Sequence, residues 1–246
     1  MQQINKPKTH FNYARLAGLS YLGLIICGIY TEFFVRGKLY IKGDVAATIT
    51  NIQADELLFR FGFLTDLMMM FFGVMMALGF YMLFRPVNKG LSLFTLFLNL
   101  AWVPILAFNM LNQLDILLLV NNSEYIASFS SEQIHAMIGH LLERRDMGYV
   151  IAQTFFGPWC LAVGYLVYTS GFMSKILGVV VMVAVIDHLS WYLAGIFNLD
   201  SPWVQYFSYI GLTGIGEIVL CIYLVIMGGY VHKGYLKRLK LSHVDY

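Results

Sequence analysis

The sequence predicts an all-α fold, a polytopic membrane helix bundle with six transmembrane helices. Of the 246 residues, 59% are hydrophobic and only 12% are charged, whereas about 25% of the residues in soluble domains are charged. The apolar residues also form six long runs, and a helix needs roughly 20 apolar residues to cross a bilayer. The length suits one domain, residues 1–246.

The six apolar runs define the predicted spans. The first follows Lys6, Lys8 and Arg15, as the apolar part of a signal peptide would. It is as long as a full span and no small-residue cleavage site closes it, so we expect it to remain as a helix. The second ends before Arg85-Pro86, because proline cannot continue the helix in front of it. The predicted spans are residues 16–35, 57–84, 91–120, 149–168, 176–197 and 206–230.

Short amphipathic helices are predicted in two external loops. Asp44 has the position of an N-cap for a helix over residues 45–52, and Asp55 caps the second span. Ser130 and Gln133 have the spacing of a capping box, which predicts a second loop helix that ends near Arg145. Its apolar residues recur at helical spacing, so we expect it to lie on the membrane surface or to cover the bundle.

Lysine and arginine are unevenly divided between the two sides of this bundle. With six spans, the two termini and two of the loops share one side. That side carries ten of the 16 Lys and Arg residues, and the other side carries six. Because positive charge is enriched in cytoplasmic loops, both termini are expected in the cytoplasm.

Several short motifs resemble one family of bacterial membrane proteins, the domain of unknown function 4386 family. The motifs are Ala14-Arg15-Leu16-Ala17-Gly18, Glu32-Phe33-Phe34-Val35-Arg36, Gly43-Asp44 with Asn51-Ile52, Leu58-Phe59-Arg60, Arg85-Pro86-Val87-Asn88 and Gly216-Glu217. The resemblance implies a multi-pass protein of the bacterial cell (inner) membrane. It carries no established activity, so it transfers no catalytic residues.

Polar residues inside the spans lie on shared helix faces together with small residues. Such faces let helices approach closely and keep polar groups away from lipid, so we expect them to point into the bundle. Most of these residues fall between the midplane and the outer end, which predicts a polar cavity that opens outward. The candidate ligand-binding residues are Glu32, Asp66, Asn109, Gln113, Asp187, His188, Trp191 and Glu217.

Asp187 and His188 are central to the fifth predicted span, where ionisable residues suggest a function. Neighbouring residues on a helix are about 100° apart, so the two side chains do not form one unit. Asp187 shares a face with Trp191 and is expected opposite Glu217. His188 ranks second, because a packing or interface role is favoured over ligand binding there.

Structural roles remain open for the other candidates. Glu32 and Arg36 have the i,i+4 spacing of an ion pair, and Asp66 can bond locally or meet Arg60. Glu217 is the deepest acid by sequence, and it suits a proton carrier, a counter-charge to a ligand or a hydrogen bond between helices. Hydrogen bonds between helices also suit the two amides, Asn109 and Gln113.

No cofactor or resident metal is predicted. The three cysteines have no metal-binding spacing, and the consecutive Met68–Met70 cannot converge on one helix face. An intramembrane metal hydrolase site is a minor alternative, because the HExxH motif is absent. Its ligands would come from His135, His140, Asp146, Asp187 and His188.

Three classes of function remain open. The favoured one is binding or transport of a small lipophilic or cationic molecule near Asp187 and Glu217. The second is an intramembrane enzyme acting on a lipid or isoprenoid, which predicts either His188 within hydrogen-bond distance of a carboxylate or a bound metal. The third is a scaffold or accessory subunit, which predicts that the acids are all internally paired and that no cavity exists. Expected partners are the bilayer, a small ligand and a second copy of the chain; the net charge of +2 does not indicate nucleic acid.

Overall fold

The computed structural model describes residues 11–121, 127–197 and 212–242, except the side chains of Asp187, Trp191, 212–214 and 240–242. Every regular element in these residues is helical. The helices are α1 (Tyr13–Ile29), a π-helix (Tyr30–Arg36), α2 (Gly37–Leu39), α3 (Val45–Ala54), α4 (Glu56–Phe84), α5 (Lys89–Asn109), α6 (Leu111–Val120), α7 (Ser131–Gln153), α8 (Phe156–Thr169), α9 (Lys175–Val183), α10 (Val185–Phe197) and α11 (Leu212–Ser242).

Six stretches of the described residues are long and apolar enough to cross a membrane, which confirms the predicted all-α six-helix fold class. The shortest has 23 residues, about 35 Å at the helical rise, and a hydrocarbon core is about 30 Å thick. Residues 206–211 of the sixth predicted run lie outside the described part. In chain order, spans 1 to 6 are Tyr13–Leu39, Glu56–Phe84, Lys89–Val120, Ser131–Thr169, Lys175–Phe197 and Ile215–Leu239.

Large apolar side chains cover the outer surface of the spans. Phe71 is 64% exposed, Phe97 63%, Ile176 76% and Ile226 70%. In water, so much exposed apolar surface would be unfavourable. The bundle is therefore suited to a lipid bilayer, as a multi-pass membrane protein is.

Four of the spans are not regular α-helices along their whole length. Span 1 contains the π-helix, span 3 is interrupted at Met110, span 4 at Thr154-Phe155 and span 5 at Ala184. The interruption in span 4 has a local cause. The ring of Pro158 would clash with the carbonyl of Thr154 in a regular α-helix, and proline has no N–H to donate.

The first loop helix is capped at its start, and so is span 2. Asp44 Oδ1 accepts a hydrogen bond from the Ala47 N–H at 2.8 Å, and Asp55 Oδ1 accepts one from the Leu58 N–H at 3.2 Å. The other oxygen of Asp55 accepts a hydrogen bond from Lys38 Nζ at 2.8 Å. This bond lowers the pKa of Asp55 below its ordinary value.

The second loop helix is continuous with span 4, whereas the sequence led us to expect a separate surface helix. Ser130 and Gln133 form the predicted capping box at the start of α7. The helix then continues to Gln153, because residues 131–153 include no proline to end it. Its buried Ile138 packs in a cluster with Ile52 of α3 and Ile116 of α6.

The largest core cluster joins spans 1, 2, 4, 5 and 6. The Trp159 ring contacts Tyr21 and Phe80 edge-on, with ring centroids 5.9 and 5.4 Å apart. Spans 1 and 2 approach closely at Gly79, where an added Cβ would stand 2.7 Å from the Ala17 nitrogen. A glycine is required there because backbone occupies the space that a side chain would need.

Reporter fusions test the orientation of the bundle. Alkaline phosphatase fused after Tyr246 is expected to be inactive, because the side richer in Lys and Arg stays in the cytoplasm. The matched control is the same enzyme fused after Gly43 in the first loop, where it is expected to be active. Activity after Tyr246 and none after Gly43 would reverse the orientation.

Candidate functional site

A cavity of about 370 Å³ lies between the six spans. Span 1 lines it from Leu24 to Arg36, a length of about 18 Å at the helical rise. Most of the lining side chains are apolar. The polar ones are Glu32, Arg36, Tyr149, Gln153, His188 and Glu217. Every span contributes to the lining, for example with Gly28, Met69, Trp102, Gln153, His188 and Glu217.

Two of the irregular parts, the π-helix of span 1 and the break in span 4, border this cavity. The π-helix supplies Glu32 and Arg36, and π-helical turns often occur at functional sites. Gln153 and Phe156 line the cavity on the two sides of the break in span 4. Irregular backbone at membrane depth is tolerated where it is enclosed by protein or faces a cavity. In spans 1 and 4 the chain therefore departs from regular α-helix beside the enclosed space.

One end of the cavity holds a cluster of side chains around Glu217. His188 Nε2 lies 2.9 Å from Glu217 Oε1, and the Tyr21 hydroxyl donates a hydrogen bond to Glu217 Oε2. The thiol of Cys160 lies 4.0 Å from Oε1. These four residues, the Glu217 cluster, come from four different spans. The contact between His188 and Glu217 places an imidazole nitrogen beside a carboxylate oxygen, so the two residues can act as an acid–base pair.

Phe156 packs against the face of the His188 ring. Their ring centroids are 5.7 Å apart and the rings are stacked. His188 and Glu217 are largely buried, with side-chain exposures of 11% and 15%. A buried, oriented imidazole–carboxylate pair at a cavity wall can bind a polar group or transfer a proton.

The same cluster is the part of the described chain where potential metal ligands converge. The ligand atoms of Cys160, His188 and Glu217 all lie within 4.8 Å of one another. The set considered from the sequence does not form such a group within the described part of the chain. In that set, Asp146 pairs with Arg145 at 2.6 Å.

Arg36 holds a second polar network, near the other end of the cavity. Its guanidinium lies 2.6 Å from Asp66 Oδ2 and 3.2 Å from Glu32 Oε2, and it donates to the Tyr149 hydroxyl at 3.3 Å. Gln113 Nε2 also donates to Asp66 Oδ2, at 3.1 Å. Because Arg36 and Asp66 are both buried, each compensates the charge of the other.

The partner of Asp66 differs from the one suggested by the sequence. Arg60 forms a 2.6 Å ion pair with Glu56, one turn earlier on the same helix face. Six residues on a helix turn through about 600°, which places Arg60 and Asp66 about 120° apart. The buried counter-charge of Asp66 comes from span 1 instead.

A second arginine extends this network toward the loops. The Arg145 guanidinium lies 5.3 Å from the Tyr40 ring centroid and 5.1 Å from that of Tyr149. Burial raises the pKa of Tyr40 above its ordinary value, although the two nearby arginines lower it. The Arg145 carbonyl accepts a hydrogen bond from Asn109 Nδ2 at 2.9 Å.

A separate void of about 10 Å³ beside Asp66 has room for one water molecule.

A family model for the Domain of unknown function (DUF4386) matches residues 16–228, most of the chain. The chain belongs to the DUF4386 family. The match begins in the first turn of span 1 and ends within span 6. It therefore includes the whole cavity lining from Leu24 to Ile218. No curated protein and no solved structure matches the chain.

The structure separates the eight sequence-predicted site residues of this DUF4386 protein. Glu32, His188 and Glu217 line the cavity. The side chains of Asp187 and Trp191 lie outside the described part of the chain. His188, which the sequence ranked behind Asp187, is the described span 5 residue that contacts Glu217. The remaining three lie in the arginine network: Asp66, Asn109 and Gln113.

Sequence reasoning missed Tyr21, Cys160, Arg36 and Tyr149 as site residues of the DUF4386 protein. By helical spacing, Tyr21 shares a face of span 1 with Gly28 and Glu32, and Cys160 shares a face of span 4 with Gln153 and Gly157. Which side chain on another span each would meet depends on helix packing. Tyr149 lies near the end of α7 (Ser131–Gln153), where the sequence placed the start of a span.

Proposed function

We propose that this DUF4386 protein binds a small lipophilic molecule in the six-span cavity, with the His188–Glu217 pair recognising its polar group. The observation that carries the proposal is the cavity itself. Its volume of about 370 Å³ lies in the range of small-molecule pockets, about 300–1,000 Å³. A scaffold or accessory subunit has no need of such a space between its helices.

The cavity's charges favour a lipophilic ligand over a cationic one. Its lining carboxylates already have partners, because Glu32 pairs with Arg36, Glu217 accepts a hydrogen bond from Tyr21, and Glu217 Oε1 lies 2.9 Å from His188 Nε2. A cation would have to compete with these groups. An apolar molecule with one hydrogen-bonding group matches the apolar walls and the single polar cluster at their end.

An intramembrane enzyme acting on a lipid or isoprenoid is the second candidate. The 2.9 Å contact between His188 Nε2 and Glu217 Oε1 favours it, because general acid–base catalysis needs such a pair within hydrogen-bond distance. The apolar wall would hold the substrate chain, and the pair would transfer a proton at its polar end.

A bulky residue at Gly28 tests ligand binding. Gly28 lines the cavity, and an added Cβ would meet only Met69 Sδ, at 3.6 Å. Gly28→Phe is therefore expected to fill the cavity without moving the backbone. The purified protein is extracted with organic solvent and the extract is analysed by mass spectrometry. We expect about one lipophilic molecule per wild-type chain and at least a tenfold loss in Gly28→Phe.

Ile26→Phe is the matched control, because Ile26 is 56% exposed on the outer surface of the same helix. It is expected to keep the molecule. Equal extracts from all three proteins would contradict the proposal. A substrate and its product recovered together from wild type, and substrate alone from Glu217→Gln, would favour the enzyme.

A further inference from the structure

We propose that Cys160, His188 and Glu217 form a zinc-binding site at the end of the cavity. Their Sγ, Nε2 and carboxylate oxygen atoms are brought together from spans 4, 5 and 6. This site would supply the polar end of the ligand cavity, so it deepens the proposed function. It can be tested without any lipophilic ligand.

The spacing of the three ligand atoms is close to that of a tetrahedral zinc site. Zinc bonds of about 2.0–2.3 Å place neighbouring ligand atoms roughly 3.3–3.6 Å apart. The contact from His188 Nε2 to Glu217 Oε1 is 2.9 Å, and the contact from Cys160 Sγ to Glu217 Oε1 is 4.0 Å. The first distance is shorter than that range and the second is longer, and all the ligand atoms lie within 4.8 Å of one another. Shifts of about 1 Å, within the reach of side-chain rotation, would bring the three atoms into that range.

Charge balance also favours a divalent ion at this depth. A thiolate on Cys160, a carboxylate on Glu217 and a neutral His188 carry two negative charges, which Zn²⁺ neutralises. A neutral complex is far less costly to bury than a separate carboxylate. Binding would release the thiol proton of Cys160, because the thiolate is the form that binds the metal.

The surroundings of the three residues resemble those of a metal site in two further ways. Tyr21 donates a hydrogen bond to Glu217 Oε2, and Phe156 stacks on the imidazole of His188. Such neighbours fix the orientation of ligand side chains. Because His188 and Glu217 also line the cavity, the fourth coordination position would face it. Three protein ligands with one open position are typical of a reactive zinc ion rather than a structural one.

The mixed donor set points to zinc among the common ions. Sulfur, imidazole and carboxylate together suit Zn²⁺, whereas Mg²⁺ and Ca²⁺ prefer oxygen ligands alone. Cobalt(II) takes similar sites and reports on them, because a bound thiolate gives a charge-transfer absorption band.

Zinc binding is measured on the full-length protein in lipid nanodiscs, with affinity tags removed and with Zn²⁺ as the only added ligand. We expect about one zinc per chain after loosely bound metal is removed. Cys160→Ser, His188→Asn and Glu217→Gln are each expected to weaken binding at least 100-fold. Tyr21→Phe, which loses only the hydrogen bond to Glu217, is expected to weaken it about 10–100-fold.

Cys221→Ser is the matched control, because Cys221 is a buried cysteine one turn beyond Glu217 whose Sγ contacts the Gly18 carbonyl. It is expected to bind zinc like wild type. Less than a tenth of a zinc per wild-type chain, or full binding by Cys160→Ser, would overturn the site. If a variant fails to fold, the absorption spectrum of the cobalt-loaded wild type decides. The absence of a thiolate charge-transfer band would contradict the proposal.

The zinc site and the ligand cavity can fail separately. Gly28→Phe is expected to keep its zinc while it loses the extracted lipophilic molecule. A wild-type protein that yields the molecule but holds no zinc overturns the metal site alone. A wild-type protein that holds zinc but yields no molecule contradicts the cavity ligand alone.

Discussion

Asp66→Asn is expected to lower the free energy of unfolding by about 3 kcal/mol, because it leaves Arg36 as a buried cation without its main partner. The two side chains have exposures of only 7% and 4% and meet at 2.6 Å. Breaking a buried pair typically costs about 3–5 kcal/mol. We expect the lower end of that range because Glu32, 62% exposed, still contacts the guanidinium.

Glu56→Gln is the matched control for Asp66→Asn. Glu56 and Arg60 are also 2.6 Å apart and lie in the same helix, but their side chains are 37% and 54% exposed. The variant is expected to cost less than about 0.5 kcal/mol, as exposed i,i+4 pairs do. Steric trapping in bilayers measures both. Equal effects would mean that the Arg36–Asp66 pair is as solvated as the exposed one.

A double variant separates the stranded charge from the lost contact. Arg36→Met with Asp66→Leu removes both charges and leaves apolar side chains of similar size. Replacement of a whole buried pair is often neutral or stabilising. The double variant is therefore expected to be more stable than Asp66→Asn. A double variant less stable than either single change would show that Arg36 acts mainly through Tyr149 and Glu32.

Helix faces could be predicted from the sequence because they depend only on the helical period. On span 2, the helical period places Asp66, Met70, Gly73 and Ala77 on one face, and all four are buried. The Glu32–Arg36 pair is likewise local, and the structure contains it. The helical period decides which residues face inward without any knowledge of the neighbouring helix.

Partners across the bundle could not be predicted in the same way. Arg36 and Asp66 are 30 residues apart, and Tyr21 and Glu217 are 196 apart. Such pairs depend on which helices are neighbours and on their relative height. The irregular turns add a further obstacle, because a π-helix or a break changes the direction of every later side chain. Which of Asp187 and His188 faces Glu217 depends on how the helix is rotated in the bundle. No local sequence pattern supplies that rotation.

Gly178→Leu is the substitution expected to damage both the fold and the candidate site. An added Cβ at Gly178 would stand 2.7 Å from the Gly164 carbonyl oxygen and 2.7 Å from the Tyr168 nitrogen. Both are backbone atoms, so no side-chain rotation relieves the clash. Helices α8 and α9 must move apart, and we expect a loss of about 3 kcal/mol in the free energy of unfolding.

The same movement reaches the Glu217 cluster. Cys160 lies on α8, and α9 leads through Ala184 into α10, which carries His188. Separating α8 from α9 therefore draws the thiol and the imidazole apart, and zinc binding is expected to weaken at least tenfold. The matched control is Gly90→Leu, since Gly90 is exposed and its added Cβ would have only Asn88 Oδ1 nearby, at 3.7 Å. Gly178→Leu with unchanged stability would contradict the close packing of these helices. A loss of stability with full zinc binding would instead show that the cluster does not depend on this contact.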